Sequence, residues 1–269
     1  MNDIIKYNNI LNQIQFKDFR AIDSDIFMSI VMKMENQGNK QVQLTFSEIR
    51  ELINDKSKSK KEFLQNLKIF IDKLQSLKIN IELVDNYSVP IDEDDEDFPD
   101  YIAFVLFDTI LVKPKKELLI IKVNEIFQFV FNELKKNFTQ VEFVKFIELK
   151  SNYSKNLYRL LRQYNNTGIF ISNISDLRKS LDIPIAYENK YIDDKIIKIA
   201  TKELRNIIPD LSYEKIYGKG KGKPLIGFKF TYNMNNQSKT VKRNTKNKFN
   251  QIQKQDYNFN ELEKLLLGE

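Results

Sequence analysis

Apolar positions recur with a helical period in two separate stretches of the chain, and in each the period then shortens to strand-like alternation. In the second half, Tyr153, Leu157, Leu160, Leu161 and Tyr164 predict a helix over about 151–164, closed by the turn Asn165-Asn166-Thr167-Gly168. Asn173 stands where an N-cap belongs, with Asp176 three residues on; Ile174, Leu177 and Leu181 then stripe a short helix that Pro184 stops. A third helix runs from about Tyr191 to Ile207, with Ile192, Ile196, Ala200, Leu204 and Ile207 facing a core. Its second stripe, Tyr191, Lys195, Lys198, Lys202 and Arg205, steps by four, three, four and three residues, so a helix places all five on one face. Tyr213, Lys215 and Tyr217 then alternate with Ser212, Glu214 and Ile216, and Leu225 to Tyr232 returns with Phe228 and Phe230 on one side. Between these strands lies Gly218-Lys219-Gly220-Lys221-Gly222-Lys223.

Helix, helix, basic helix, basic hairpin is the order of a winged helix, in which the third helix enters the major groove and the wing touches the neighbouring backbone. The lysine stripe by itself is also what a solvated helix surface looks like. The hairpin tip adds the discriminating feature. Glycines let its backbone approach another surface closely, and the lysines between them put charge where that approach happens. A structural turn needs neither three glycines nor three alternating lysines; phosphate contact accounts for both.

The first half predicts the same order. Ile26, Phe27, Ile30, Val31 and Met34 mark a helix near 24–35. Thr45-Phe46-Ser47-Glu48 is a capping box opening a helix with Ile49, Leu52 and Ile53 inside, and Ser59-Lys60-Lys61-Glu62 opens a long one with Phe63, Leu67, Phe70, Leu74 and Leu77. Strands are expected at about 79–85, 101–113 and 117–123, then helices near 124–134 and 139–149 joining the halves. The fold class is therefore α+β: two tandem winged-helix domains packed together, 1–136 and 137–232, and a flexible basic tail, 233–269. Lys58, Lys60 and Lys61, with Lys56, crowd the start of the long helix and are candidates for phosphate contact, though a solvated helix start reads the same way. From Lys239 to Lys254 there are six bases and no acid, which reads as a disordered linker with weak attraction for DNA; residues 256–267 could fold as a short amphipathic helix on a partner.

Composition narrows the chemistry. The chain has 269 residues, no Cys and no His. That removes Cys/His zinc fingers, cysteine nucleophiles, Ser-His-Asp triads, histidine bases and the paired-histidine metal site of rolling-circle nicking enzymes. There is no phosphate-binding loop for ATP, and no cofactor or metal is expected. The six consecutive acids of 92–97 could attract a divalent cation, but lack the spacing to turn toward one ion; a solvated loop is the better reading. Net charge is +6, and outside that run 43 bases face 31 acids, a balance of +12 that favours a polyanionic partner. No apolar run approaches the ~18 residues that span a bilayer, and the first residues lack the make-up of an export signal, so no membrane partner and a cytoplasmic location are expected.

Together these features resemble the iteron-binding replication initiators of theta-replicating plasmids. The marks are Lys6-Tyr7-Asn8-Asn9-Ile10-Leu11-Asn12, Leu149-Lys150-Ser151 through Leu157-Tyr158-Arg159-Leu160-Leu161, Asp176-Leu177-Arg178-Lys179-Ser180-Leu181 with Tyr187 following, the helix around Lys195-Ile196-Ile197-Lys198, and Ile226-Gly227-Phe228-Lys229-Phe230. The resemblance implies that the second domain reads double-stranded origin DNA carrying direct repeats, while the first adds contacts and forms a homodimer. It implies that monomers start replication, dimers repress their own promoter, and a host initiator and helicase are recruited. Bases are read in that family from the start of the third helix, here Asn189, Lys190, Tyr191 and Lys195; phosphates would fall to Lys198, Lys202, Lys219, Lys221 and Lys223. Two other functions fit the residues: a transcriptional repressor of the same fold, and a carboxylate-metal nicking enzyme, which the missing histidines disfavour.

Overall fold

Both predicted caps form, the one at Thr45 as a full reciprocal box. Thr45 Oγ1 accepts from the Glu48 N–H at 3.0 Å while the Glu48 carboxylate accepts from the Thr45 N–H at 2.8 Å, and Ser59 Oγ accepts from the Glu62 N–H at 3.1 Å. In the computed structural model, which describes residues 4–52, 59–80, 103–219 and 222–233, these caps open α2 (Phe46–Leu52) and α3 (Lys60–Gln75). Ahead of them stand β1 (Ile4–Asn8), α1 (Ala21–Met34) and β2 (Val42–Thr45). After them come β3 (Lys78–Asn80), β4 (Ala103–Val105), β5 (Phe107–Lys113) and β6 (Leu118–Val123). β7 (Phe138–Glu142), α4 (Phe143–Glu148) and α5 (Asn152–Gln163) complete this part.

The order α1, β2, α2, α3, hairpin β5–β6 is a winged helix. Its three-stranded antiparallel sheet runs β2-β6-β5, so the short strand between the first two helices pairs with the returning strand of the wing. α3 presents Phe63, Leu67, Phe70 and Leu74 to the core, as its spacing predicts. Edge-on rings of Phe16, Phe19, Phe27 and Phe70 fill the centre.

Buried charges join its helices. Asp23, in the first turn of α1, accepts from the Arg20 backbone and guanidinium and from Lys73 Nζ of α3 at 2.6 Å. Burial alone would raise its carboxyl; the hydrogen bonds from Arg20 and Lys73 outweigh that and hold it below the usual range. Asp25 meets Lys155 Nζ of α5 at 2.6 Å, and the same ammonium donates to the Phe146 carbonyl. Burial pushes the Asp25 carboxyl up to about 6, against the pull of the Lys155 ammonium and its hydrogen bond.

The second winged helix follows the same plan. α5 precedes β8 (Ile169–Asn173) and α6 (Ile174–Leu181), then the third helix and the hairpin of β9 (Ser212–Tyr217) and β10 (Leu225–Thr231). The sheet order is β8-β10-β9, again with the middle place taken by the strand that closes the wing. Asn173 caps α6 as expected: its Oδ1 accepts from the Asp176 N–H at 2.8 Å and its Nδ2 donates to the Asp176 carboxylate at 2.7 Å. α6 ends at Leu181, three residues ahead of Pro184; Asp182 follows in the left-handed region (φ 56°), with the Ile183 N–H returning to the Arg178 carbonyl.

Several expectations change. The segment expected as a helix over 139–149 begins as β7, because Thr139 and Val141 alternate inward and pair with β1 in the register Ile5↔Val141, Tyr7↔Thr139; only from Phe143 does a helix start. The expected helix near 124–134 is a 3₁₀ turn, Glu125–Val130, capped by Asn124. β1, β2 and β8 had no counterpart in the sequence reading. The contacts divide the chain after Gln163, not after 136: one unit takes everything up to Gln163 with Arg178–Pro184, the other takes Tyr164–Leu177 and the chain from Ile185 on. The β1–β7 pairing is the reason, since it ties the segment from Phe138 to the amino-terminal strand. The predicted strand residues 81–85, the acidic run 92–97 and the tail from 234 lie outside the described residues.

Candidate nucleic-acid interface

The third helix of the second unit starts at Asn189, two residues earlier than its apolar stripe indicated, and is not uniform. α7 (Asn189–Ile192) passes through a π-helical turn (Asp193–Ile197) into α8 (Lys198–Leu204). The Lys198 N–H donates to the Asp193 carbonyl, five residues back. Ile192, Ile196, Ala200, Leu204 and Ile207 are buried, as is Ile197. Tyr191, Lys195, Lys198, Lys202 and Arg205 are exposed, so the polar stripe does face outward.

The π turn sets Asp193 against the wing. Its carboxylate is buried and accepts from Tyr213 Oη at 2.7 Å and Lys215 Nζ at 2.6 Å, both on β9. The first strand of the wing is thereby fixed to the first half of the basic helix. The same contact raises the Lys215 ammonium through its hydrogen bond to Asp193; burial and then that hydrogen bond raise the Tyr213 hydroxyl. At the far end, Arg205 Nε donates to the Leu211 carbonyl at 2.9 Å, so this member of the predicted stripe holds the turn that leads into β9. Sequence reasoning missed Asp193 and Lys215. An acid on the apolar side of a basic helix was the available signal.

The proposed site residues that fall within the described residues each have a definite setting. Asn189, Lys190 and Tyr191 are exposed in the first turn. Lys190 pairs with Glu188 at 2.8 Å, which raises its ammonium, and lies over the Tyr191 ring at 4.8 Å. Lys195 stacks on the other neighbours, 4.7 Å from the Tyr191 centroid and 5.8 Å from that of Tyr187. Tyr191 thus orders two ammonium groups at the helix start. Lys198 is 3.8 Å from Asp194, while Lys202 is exposed one turn further on. In the wing, Lys219 and Lys223 are exposed; Lys223 takes a left-handed backbone (φ 43°) after Gly222 (φ 85°), and the Gly218 N–H closes the loop on the Pro224 carbonyl. Lys221 and Lys58 lie outside the described residues. In the first unit, Lys61 is exposed, and Lys60 is joined to Glu117 at the β5–β6 turn by a 2.6 Å ion pair that matches its charge within the protein.

Glycine is required at two places behind the wing. Gly168 (φ 66°) exchanges backbone hydrogen bonds with its surroundings at Tyr164 and Tyr232, and a Cβ there would run into the Tyr232 carbonyl oxygen. Gly227 lies between β8 and β9 at a bulge, where a Cβ would be 2.6 Å from the Ser172 carbonyl. Among the described residues, no three metal-ligating side chains converge, and no helix is long and apolar enough to cross a membrane.

A helix, a strand, two helices and a closing hairpin in the first unit, and a strand, two helices and a closing hairpin in the second, define a protein of two winged-helix domains. The chain belongs to the initiator replication protein family: the model of its WH1 domain matches residues 4–162 and that of its WH2 domain residues 173–232. A probable replication protein of Bifidobacterium longum (strain NCC 2705) is 30% identical over 239 residues, covering 86% of this chain and 73% of the relative. In fold, the chain is similar to the Pi initiator protein solved in complex with iteron DNA, with a TM-score of 0.64 and 14% identity over 86% of this chain and 96% of that one.

Proposed function

We propose that this protein binds double-stranded DNA in a sequence-specific manner and initiates replication of a plasmid by occupying direct repeats at its origin, without catalysing a reaction itself. The observation that carries the reading is the exposed face of the basic helix, braced by Asp193 against a lysine-tipped wing. Asn189, Lys190, Tyr191 and Lys195 face base edges in the major groove; Lys198, Lys202, Lys219, Lys221 and Lys223 hold phosphates. Lys58 and Lys61 add phosphate contacts from the first domain, and Lys60 joins them only by giving up Glu117. The similar Pi initiator, solved on iteron DNA, and the replication relative support the choice of origin repeats. A homodimer through the first domain, repression of its own promoter, and recruitment of a host initiator and helicase complete the proposal. Its place of action is the cytoplasm, where plasmid DNA lies.

Footprinting on the DNA flanking the gene tests this. Protection of tandem direct repeats is expected; protection of a lone inverted repeat would make the protein a repressor instead. Relaxation of supercoiled origin DNA in magnesium or manganese would overturn the non-enzymatic assignment. Affinity should fall about 10³–10⁵-fold between roughly 50 and 200 mM salt, the response to 6–10 phosphate contacts.

A further inference from the structure

Ile199 is out of place. It sits within the basic face of the third helix, four residues after Lys195, next to Lys198 and three before Lys202, yet it is 56% exposed. Ile199 and Lys202, three residues apart in α8, share one side, and Lys195, exposed in the π turn just before, precedes the isoleucine by one turn. Its neighbours Ile197 and Ala200 are buried, so the core of this unit is already filled without it. The first unit repeats the arrangement. In α3, Lys68 and Ile69 are exposed between buried Leu67 and Phe70, with Ile69 at 39%, just as Lys198 and Ile199 lie between Ile197 and Ala200.

Resting on the DNA-binding reading above, we infer that Ile199 is a specificity-determining residue that packs on the C5-methyl group of a thymine in the major groove. The surroundings select the occupant. An apolar protein partner covering Ile199 would also strip water from Lys195, Lys198 and Lys202 without offering them anions, which is costly. A DNA groove offers phosphates to Lys198 and Lys202 and base-edge acceptors to Lys195. On the major-groove edges of the bases, the thymine methyl is the apolar group, and every other feature is a hydrogen-bond donor or acceptor. A branched aliphatic side chain amid lysines therefore has one complementary target there. Sequence reasoning passed over Ile199 because it named only the polar members of the stripe.

The test uses the full chain. A random-sequence duplex pool is selected with the native protein, and each thymine of the enriched site is then replaced singly by deoxyuridine, which lacks only the methyl group. At one thymine, native protein should lose about fourfold in affinity, the worth of one buried methyl, about 0.8 kcal/mol. Ile199→Ala should be indifferent to that replacement while responding like native protein at every other thymine. Ile199→Val, which keeps both γ-branches at Cβ, should retain most of the loss. Equal responses of native protein and Ile199→Ala at every thymine, or no response in either, would overturn the assignment while leaving sequence-specific binding intact. Failure of the native protein to enrich any site would sink the DNA-reading proposal itself, and this inference with it.

Discussion

Single residues decide whether the wing stands where the basic helix can use it. Asp193 is the clearest case: it is buried, and its two partners, Tyr213 and Lys215, sit on the same strand. Asp193→Ala should cost about 1.5–3 kcal/mol, the worth of hydrogen bonds to a charged group, read from urea unfolding, and should speed amide exchange along β9. Gly168→Ala should be at least as damaging, about 2–4 kcal/mol, since it adds a clash with the Tyr232 carbonyl to an unfavourable positive φ. The two glycine positions were visible as glycines, but their need was not. A turn glycine and a strand glycine look alike until the backbone that would collide with them is in place.

At the level of elements, local signals were read well where they act within one turn. Thr45, Ser59 and Asn173 cap the helices they were expected to cap, because a side chain and an N–H three residues on need nothing distant to meet. β2 and β8 were missed for a related reason. Each is short and ends at the capping residue of the next helix, so the cap masks the strand, and its partner, β6 or β10, comes far later in the chain. The α1–α3 contact gives a pH prediction. Asp23 is held below its ordinary value, so its contribution is fully present above about pH 4 and is lost as pH falls through the lower folded value. Asp23→Asn should therefore unfold about 2 kcal/mol more easily at pH 7, with the gap from native protein narrowing by pH 3 in urea titrations.

In the molecule as a whole, stability of the first unit depends on a charge pair between residues 130 positions apart, Asp25 and Lys155. Breaking it by Asp25→Ala should cost about 3–5 kcal/mol because the buried Lys155 ammonium loses its counter-charge; Asp25→Asn with Lys155→Met should recover most of that in chemical denaturation. The boundary between units was misplaced at 136 because nothing near Phe138 announces that it pairs with Asn8. Helical periodicity, caps, the charge stripe and the lysine-glycine tip belong to neighbours in sequence, and the chain by itself determined them, and with them the order of two winged helices. Strand partners, the unit boundary, the Asp193 brace and the exposure of Ile199 depend on groups brought together from distant positions. Tertiary structure alone decided those, because loop closure and packing choose among partners that local propensity leaves equivalent.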